Sequence, residues 1–220
     1  MNPRLLFFNK RFWTRSLVSN QRVYGEQVIE KNGFFWRSWN PFRSKLSAGL
    51  HSGLSDLCIE EGNSVLYLGC AEGTTVSHVS DLVGENGLVF GLDVSPVSMA
   101  KFTCLAESRE NIFPLLSDAS NPQSYVEKLD NAKVDVVVQD ISQRNQADIF
   151  SKNWSFFSKP SSNGFLIVKT RSVDMVHSPH SILDQQLSVL KSQVHIVQVV
   201  SLDKFEGNHF LIHVTGRRDF

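Results

Sequence analysis

The chain has 220 residues, the length of one domain with room for a small appendage. Hydrophobic residues make up 41% and charged residues 20%, which excludes wholesale disorder and supports a packed core. No apolar run approaches the roughly 20 residues that a membrane-spanning helix needs, so we expect no membrane partner. Cys58, Cys70 and Cys104 form no CxxC pair, which argues against a disulfide scaffold or a zinc ribbon and favours a reducing compartment.

The neutral net charge hides an uneven distribution along the chain. Residues 1–45 contain nine basic and two acidic side chains, a net +7, which leaves −7 for residues 46–220. The same segment carries ten aromatic residues. Basic residues interleaved with aromatic rings are typical of a nucleic-acid or ribonucleoprotein surface. The alternative is a small N-terminal unit whose rings form its own core.

Residues 1–25 contain no acidic side chain and several arginines and serines, which is also the composition of an organelle transit peptide. The apolar residues of this segment do not form one helical stripe. Organelle targeting is therefore a secondary interpretation.

From about residue 64, short apolar runs alternate with segments of helical length. Such runs predict strands buried on both faces of a parallel sheet with crossover helices. Two further runs near the C-terminus are separated by only five residues, too few for a helix, so we expect that pair to be antiparallel. The seven predicted strands cover residues 64–69, 87–93, 111–118, 134–140, 164–170, 194–203 and 209–216.

This order of elements predicts an α/β fold of the Rossmann-like methyltransferase type, with a seven-stranded sheet that contains one antiparallel strand. We expect residues 34–220 to form this domain and residues 1–33 to form a small β-rich N-terminal unit. We expect the side chains of Arg217, Arg218 and Asp219 to be solvated.

A glycine-containing loop follows the first strand of the predicted domain. Gly69 and Gly73 allow close approach of a ligand to the backbone, and we expect Thr74 and Thr75 to cap the next helix. The loop lacks the middle glycine of the GxGxxG dinucleotide pattern. This spacing disfavours an NAD-dependent reductase, which remains an alternative.

Acidic side chains end three successive predicted strands at the edge of the sheet where ligands bind. Asp93 is placed to accept hydrogen bonds from ribose hydroxyls, Asp118 can accept from an adenine amino group, and Asp140 follows the fourth strand. Single acids at strand ends are common turn formers. The set of three beside this loop favours S-adenosylmethionine over NAD.

Several segments resemble the fibrillarin family of box C/D ribonucleoproteins. The strongest is WNPFRSKL at residues 39–46, and further matches are YGE at 24–26, YLG at 67–69 and GTTVSHVSD at 73–81. The resemblance extends from about residue 23 to the C-terminus. Cys70, Glu72, Asp93-Val94 and the DISQ segment at 140–143 depart from the residues usual in the family, and the sequence has no glycine-arginine-rich tail.

The resemblance implies an S-adenosylmethionine-dependent RNA ribose 2′-O-methyltransferase that acts on ribosomal RNA within a box C/D guide ribonucleoprotein. It implies a catalytic set of Lys45, Asp140, Lys169 and His209, with Lys169 as proton acceptor assisted by Asp140. No metal is predicted. A non-catalytic methyltransferase-fold subunit of a ribonucleoprotein remains an alternative. The predicted cofactor-binding residues are Gly69, Ala71, Gly73, Thr74, Thr75, Asp93, Val94, Asp118, Ala119, Asp140 and Gln143.

By the same resemblance, the expected partners are a box C/D guide RNA, the rRNA substrate, a Nop-family scaffold protein and a kink-turn-binding protein. The aromatic and basic composition of residues 1–40 predicts that this segment docks mainly on the scaffold and only secondarily contacts RNA. Charged residues are not enriched as on a hyperthermophile surface. The expected location is therefore the nucleus and nucleolus, with an archaeal-type cytoplasm as the alternative.

Overall fold

The computed structural model describes residues 2–216, so the expected solvation of Arg217, Arg218 and Asp219 lies outside the described residues. Eleven strands and six α-helices form within this range. None of these helices is long and apolar enough to cross a membrane. The strands are β1 (Leu5–Phe8), β2 (Arg11–Arg15), β3 (Val28–Lys31), β4 (Phe34–Trp39), β5 (Ser64–Leu68), β6 (Leu88–Asp93), β7 (Ile112–Leu116), β8 (Val134–Gln139), β9 (Ser158–Lys169), β10 (Val194–Ser201) and β11 (His209–Gly216). The helices are α1 (Lys45–His51), α2 (Thr74–Val83), α3 (Pro96–Ala106), α4 (Gln146–Phe157), α5 (Thr170–Val173) and α6 (Pro179–Leu190).

The last seven strands form one sheet in the order β10-β11-β9-β8-β5-β6-β7. Strand β11 is antiparallel to both of its neighbours, and the other pairs are parallel. All seven predicted strands are present, and the predicted fold class is confirmed. Pro114 lies in β7, at the edge of the sheet, where its missing N–H removes no inter-strand hydrogen bond from the interior.

Both faces of the large sheet are covered, which explains the continuous apolar runs. Residues Val65 and Tyr67 of β5 contribute to a cluster with α1, α2 and α3, whereas Leu66 and Leu68 contribute to a cluster with α4 and α6. Successive side chains of a strand point to opposite faces, so each apolar run supplies both clusters.

The first four strands form a separate antiparallel sheet in the order β1-β2-β4-β3. Two-residue turns join its hairpins: Asn9-Lys10 and Asn32-Gly33, in which all four residues have positive φ. This is the conformation of the tight turns that match strand twist. The division of the chain at residues 33 and 34 stays a prediction, but the small sheet itself continues to Trp39 because β4 pairs with β2 and β3.

A buried ionic cluster joins the small sheet to the large domain. The guanidinium of Arg37 on β4 lies 2.6 Å from Glu26 Oε1 and 2.8 Å from Asp81 Oδ2 on α2. Arg109 also contacts Asp81, at 2.8 Å. Burial alone would lower the pKa of Arg37, but Asp81 and Glu26 outweigh it and the pKa is raised. Arg37 is therefore held charged between two carboxylates inside the protein.

A buried histidine completes this junction. His78 Nδ1 lies 2.7 Å from Thr14 Oγ1, whose own hydroxyl donates to Asp81 Oδ2, so Nδ1 carries the proton and donates to Thr14. The other ring nitrogen, Nε2, then accepts from the Tyr24 hydroxyl at 2.8 Å. Burial, with Arg37 and Arg109 nearby, holds the pKa of His78 well below its ordinary value of 6.5. The imidazole is therefore neutral.

Removal of one partner of the buried cluster is expected to be strongly destabilising. In Asp81→Asn, Arg37 and Arg109 lose a shared carboxylate without access to water, and the free energy of unfolding should fall by about 3–5 kcal/mol. Denaturant unfolding measures this loss. The matched control is Lys101→Met, which breaks the exposed pair with Glu72 and should cost about 1 kcal/mol or less. Equal effects of the two substitutions would contradict the prediction.

The neutral His78 also predicts a pH dependence of stability. Below about pH 6.5 the unfolded chain binds a proton at this residue while the folded chain does not, so stability decreases as pH falls from 7 to 5. The slope contributed is at most about 1.4 kcal/mol per pH unit. His78→Gln, which keeps a donor and an acceptor, should flatten the profile, whereas His180→Gln on the exposed surface should not. His213, whose pKa is also lowered by burial, contributes to the slope in the same direction.

Candidate active site

A cleft of about 410 Å³ opens at the carboxyl ends of the parallel strands. This is the position where open α/β sheets bind ligands, and the volume lies within the usual range for small-molecule sites. Eight of the eleven predicted cofactor-binding residues line it: Gly69, Ala71, Asp93, Val94, Asp118, Ala119, Asp140 and Gln143. Lys169 lines it as well, and sequence reasoning missed Leu92, Ile141 and Ser142.

The floor of the cleft depends on Gly69. Its φ is +84°, and a Cβ at this position would lie 2.5 Å from the carbonyl oxygen of Asp140. A side chain here would push the end of β5 away from the end of β8. What approaches the backbone of Gly69 is thus the loop that follows β8, and the close approach of a ligand stays a prediction.

Gly73 has a packing role that the sequence analysis did not predict. It does not line the cleft, and a Cβ here would meet the Phe102 ring at 2.5 Å and Leu105 at 2.6 Å. The small residue at φ +90° therefore allows α3 to pack against the loop.

The predicted capping by threonine is wrong. Gly73, which has no side chain to accept a hydrogen bond, occupies the N-cap position of α2. Thr74 and Thr75 are the first two residues of the helix, and they do not line the cleft.

Two acids hold the loops that shape the cleft. Asp93 Oδ2 accepts from the backbone N–H of Ala71 and Oδ1 from that of Ser95, both at 2.9 Å. Asp118 accepts from the N–H of Ser120 at 2.8 Å. Because of this backbone hydrogen bond, the pKa of Asp118 lies below its ordinary value. Both residues present negative oxygens at the wall of the cleft, as their positions after successive strands predict.

Asp140 lies at the mouth of the cleft between two lysines. Lys169 Nζ is 2.7 Å from Asp140 Oδ1, and it also donates to the backbone oxygen of Asp140 and to Ser142 Oγ. Lys45 Nζ is 3.8 Å from Asp140 Oδ2. The structure thus brings together three of the four predicted catalytic residues.

The fourth, His209, joins this group through an acid that sequence reasoning missed. His209 is opposite Lys169 in the pairing of β11 with β9. Glu206, in the turn before β11, lies 3.0 Å from Lys45 Nζ and 3.5 Å from His209 Nε2. Burial acts to lower the pKa of Lys45, but Asp140 and Glu206 together raise it, so this lysine stays charged. The sequence signal that could have identified Glu206 as part of the site was its position three residues before His209.

The fold and the cleft define a Rossmann-like domain of the S-adenosylmethionine-dependent methyltransferase type. The model of the family described as Fibrillarin matches residues 6–218. The chain belongs to the fibrillarin family, which confirms the resemblance of its motifs.

Individual relatives agree over nearly the whole chain. A fibrillarin-like rRNA/tRNA 2′-O-methyltransferase from Saccharolobus solfataricus is 41% identical over 203 residues, which cover 92% of this chain and 87% of that protein. The crystal structure of Aeropyrum pernix fibrillarin, with natively bound S-adenosyl-L-methionine, matches with a TM-score of 0.87 at 36% identity, over 96% of this chain and 93% of that chain. The fibrillarin of a fibrillarin/Nop5p complex matches with a TM-score of 0.90 at 34% identity, over 99% of each chain.

Proposed function

We propose that this protein transfers a methyl group from S-adenosylmethionine to a ribose 2′-hydroxyl of ribosomal RNA within a box C/D guide ribonucleoprotein. The observation that carries the proposal is the position of Asp140, which lines the cofactor-sized cleft and pairs with both Lys45 and Lys169 at its mouth. The S. solfataricus relative, named as an rRNA/tRNA 2′-O-methyltransferase, supports the reaction class.

The residues of the cleft fit S-adenosylmethionine. Carboxylates at the ends of β6 and β7 suit ribose hydroxyls and an adenine amino group, and the apolar side chains of Leu92 and Ile141 suit the purine ring. The bound cofactor supplies an electrophilic methyl group. Asp93, Asp118 and Gln143 would hold the nucleoside part, and the loop at Gly69 would hold the remainder.

The residues at the mouth of the cleft would orient and activate the ribose hydroxyl. Alignment alone can supply a large part of the rate of a transfer reaction. Three oxygen acceptors surround Lys169 Nζ, and the nearest is Asp140 Oδ1 at 2.7 Å. We therefore propose that the Asp140–Lys169 pair, rather than Lys169 alone, accepts the proton of the ribose hydroxyl. The charges of Lys169 and Lys45 would stabilise the oxygen as it loses this proton.

The proposed particle would select its target by guide pairing, since the described residues form the two sheets and their helices and no separate base-reading module. The fibrillarin/Nop5p complex supports a Nop-family scaffold as partner. A box C/D guide RNA and a kink-turn-binding protein complete the proposed assembly.

Lys169→Ala tests the proposed reaction. In the reconstituted guide complex, we expect methyl transfer to fall by about 100-fold or more, because a positioned donor and proton-transfer group is lost. Binding of S-adenosylmethionine, measured by calorimetry, should change little. Lys152→Ala, an exposed lysine on α4, is the control. Full activity of Lys169→Ala would remove this mechanism, and an inactive wild-type complex would remove the proposed function.

The scaffold would dock on the outer face of the small sheet. By strand register, Thr14, Arg37 and Trp39 face the large domain, so the alternate residues face away from it. On this outer face, Lys31 Nζ lies 3.9 Å from the centroid of the Phe8 ring, and the Arg15 guanidinium lies 4.5 Å from that of Phe34. Exposed rings with adjacent cations are the residue types enriched at protein interfaces.

Point substitutions test this docking better than deletion of residues 1–33, which would also remove Glu26 from the buried cluster. The double variant Phe8→Ser/Phe34→Ser should bind the scaffold protein at least about 10-fold more weakly, because two exposed rings leave the interface. Phe113→Ser, on exposed strand β7, is the control. Pull-down at graded concentrations measures the affinity, and circular dichroism verifies the fold. Undiminished binding would show that this face is not the docking surface.

A further inference from the structure

Glu206 lies in the turn between β10 and β11, at the mouth of the cleft, and the proposed reaction gives it no role. One of its carboxylate oxygens lies 3.0 Å from Lys45 Nζ, and the other lies 3.5 Å from His209 Nε2. The distance from Lys45 Nζ to Asp140 is longer, at 3.8 Å. Glu206 is therefore the nearer of the two acids beside Lys45.

The position of Lys45 in the chain creates a need for such a partner. It is the first residue of α1, whose first turn contains no acidic residue. The free N–H groups of a first helical turn carry partial positive charge, so a cation there is disfavoured. The side chain of lysine is also long and flexible, so an ammonium group without a partner takes many positions. A fixed carboxylate near Nζ offsets the repulsion and selects one position.

The turn that carries Glu206 is itself held on both sides of the site. The backbone N–H of Glu206 donates to the carbonyl oxygen of Leu202 at 2.8 Å. The carbonyl oxygen of Asn208 accepts from both the N–H and the hydroxyl of Thr170, the residue that follows β9. The ring of Phe205 packs edge-on against the last residue of α1. The carboxylate of Glu206 is therefore presented from a backbone that is anchored to α1 and to the end of β9.

Formation of the turn does not explain where the Glu206 side chain points. Asp203 is the acid that serves the turn, since its carboxylate accepts from the N–H of Asn208 at 2.7 Å and from the hydroxyl of Ser201 at 2.8 Å. The carboxylate of Glu206 contacts two of the predicted catalytic residues instead. The Glu206 side chain is 43% exposed, and an ion pair with that much access to water adds little to stability.

The ring of His209 is turned toward the same carboxylate. Its Nδ1 lies 2.9 Å from the carbonyl oxygen of Gly207, which can only accept, so Nδ1 donates the hydrogen bond. The other ring nitrogen, Nε2, then faces Glu206 Oε1. One carboxylate thus lies between the imidazole of His209 and the ammonium of Lys45.

We propose that Glu206 is a positioning residue of the methyl transfer, which holds the Lys45 ammonium beside the ribose oxygen that accepts the methyl group. An ammonium group has three N–H donors, so a hydrogen bond to Glu206 leaves donors available to a substrate oxygen. Held in this way, the charge of Lys45 is already in place when the oxygen loses its proton, and no rearrangement is needed. The inference rests on the proposed function, because it assumes that a ribose hydroxyl reacts at the mouth of the cleft.

Glu206→Gln in the reconstituted guide complex tests the inference, since it removes the charge and keeps the shape. We expect kcat to fall by about 10-fold, because Lys45 is no longer held in one position. The KM for substrate RNA and the affinity for S-adenosylmethionine should change by less than about 2-fold, because the RNA is held by guide pairing and the cofactor by the cleft. The matched control is Asp203→Asn in the same turn, which should keep full activity. Full activity of Glu206→Gln, or an equal loss in both variants, would overturn the inference.

A double-mutant cycle shows whether Glu206 acts through Lys45. The loss of kcat in Lys45→Met/Glu206→Gln should equal the loss in Lys45→Met alone, because Glu206 then has no ammonium to position. A purely structural role of Glu206 would make the two losses multiply, and that result would contradict the inference.

Titration of Lys45 separates the inference from the proposed function, because it requires no turnover. Burial acts to lower the pKa of Lys45, and Asp140 and Glu206 outweigh it. In the full chain with isotope-labelled lysine, NMR should therefore show a lower pKa of Lys45 in Glu206→Gln than in wild type, and the same pKa as wild type in Asp203→Asn. Lys45→Met identifies the signal.

The two measurements together distinguish the possible failures. If the pKa of Lys45 responds to Glu206→Gln but the wild-type complex transfers no methyl group, the proposed reaction fails and Glu206 stands as the residue that holds Lys45. An unchanged pKa of Lys45 in Glu206→Gln would overturn the assignment of Glu206, whatever the activity of the complex.

Discussion

The junction between the two sheets depends on Arg37 held between Glu26 and Asp81. Taking a guanidinium and two carboxylates out of water costs free energy, and only close, complete pairing offsets that cost. The pairing in turn requires that the small sheet approach α2 in one orientation, since the Arg37 fork must reach both acids. The cluster therefore specifies how the N-terminal unit is seated. This seating places Lys10 and Trp39 beside the turn that carries Phe205, so the cavity between the small sheet and that turn depends on the same contact.

The charged groups of the active site are also paired with opposite charges, but they are more accessible to water than the Arg37 cluster. The charged groups contact one another in the order Glu206, Lys45, Asp140 and Lys169. Their signs alternate in this order, so each charge lies beside at least one opposite charge. A cation between two acids keeps its proton, as the raised pKa of Lys45 shows. A fixed positive charge of this kind is available to a developing oxyanion without rearrangement of the protein.

Sequence patterns predicted the large domain well because burial on both faces leaves a clear signal. Apolar runs such as VDVVVQD and GFLIVKT became β8 and β9, and the five-residue link before β11 correctly excluded a helix. Acids at strand ends converged because parallel strands end at one edge. The sequence was less informative where the cause is a contact between distant segments. Nothing local shows that Gly73 makes room for Phe102 or that Glu206 meets Lys45. The Asn32-Gly33 pair was a local hairpin signal, and it lies where the sequence suggested a division of the chain.

The position of β11 has a consequence for the order of assembly. This strand follows β10 in the chain, yet it lies between β9 and β10 in the sheet. During synthesis, one edge of β9 stays unpaired until β11, which begins about forty residues later, has been made. Strand β10 cannot join the sheet before then, because it pairs only with β11. Because β11 brings His209 opposite Lys169, a nascent chain that still lacks this strand has the cleft without the complete set of predicted catalytic residues. On the proposed mechanism, the enzyme would thus become competent only as β11 enters the sheet.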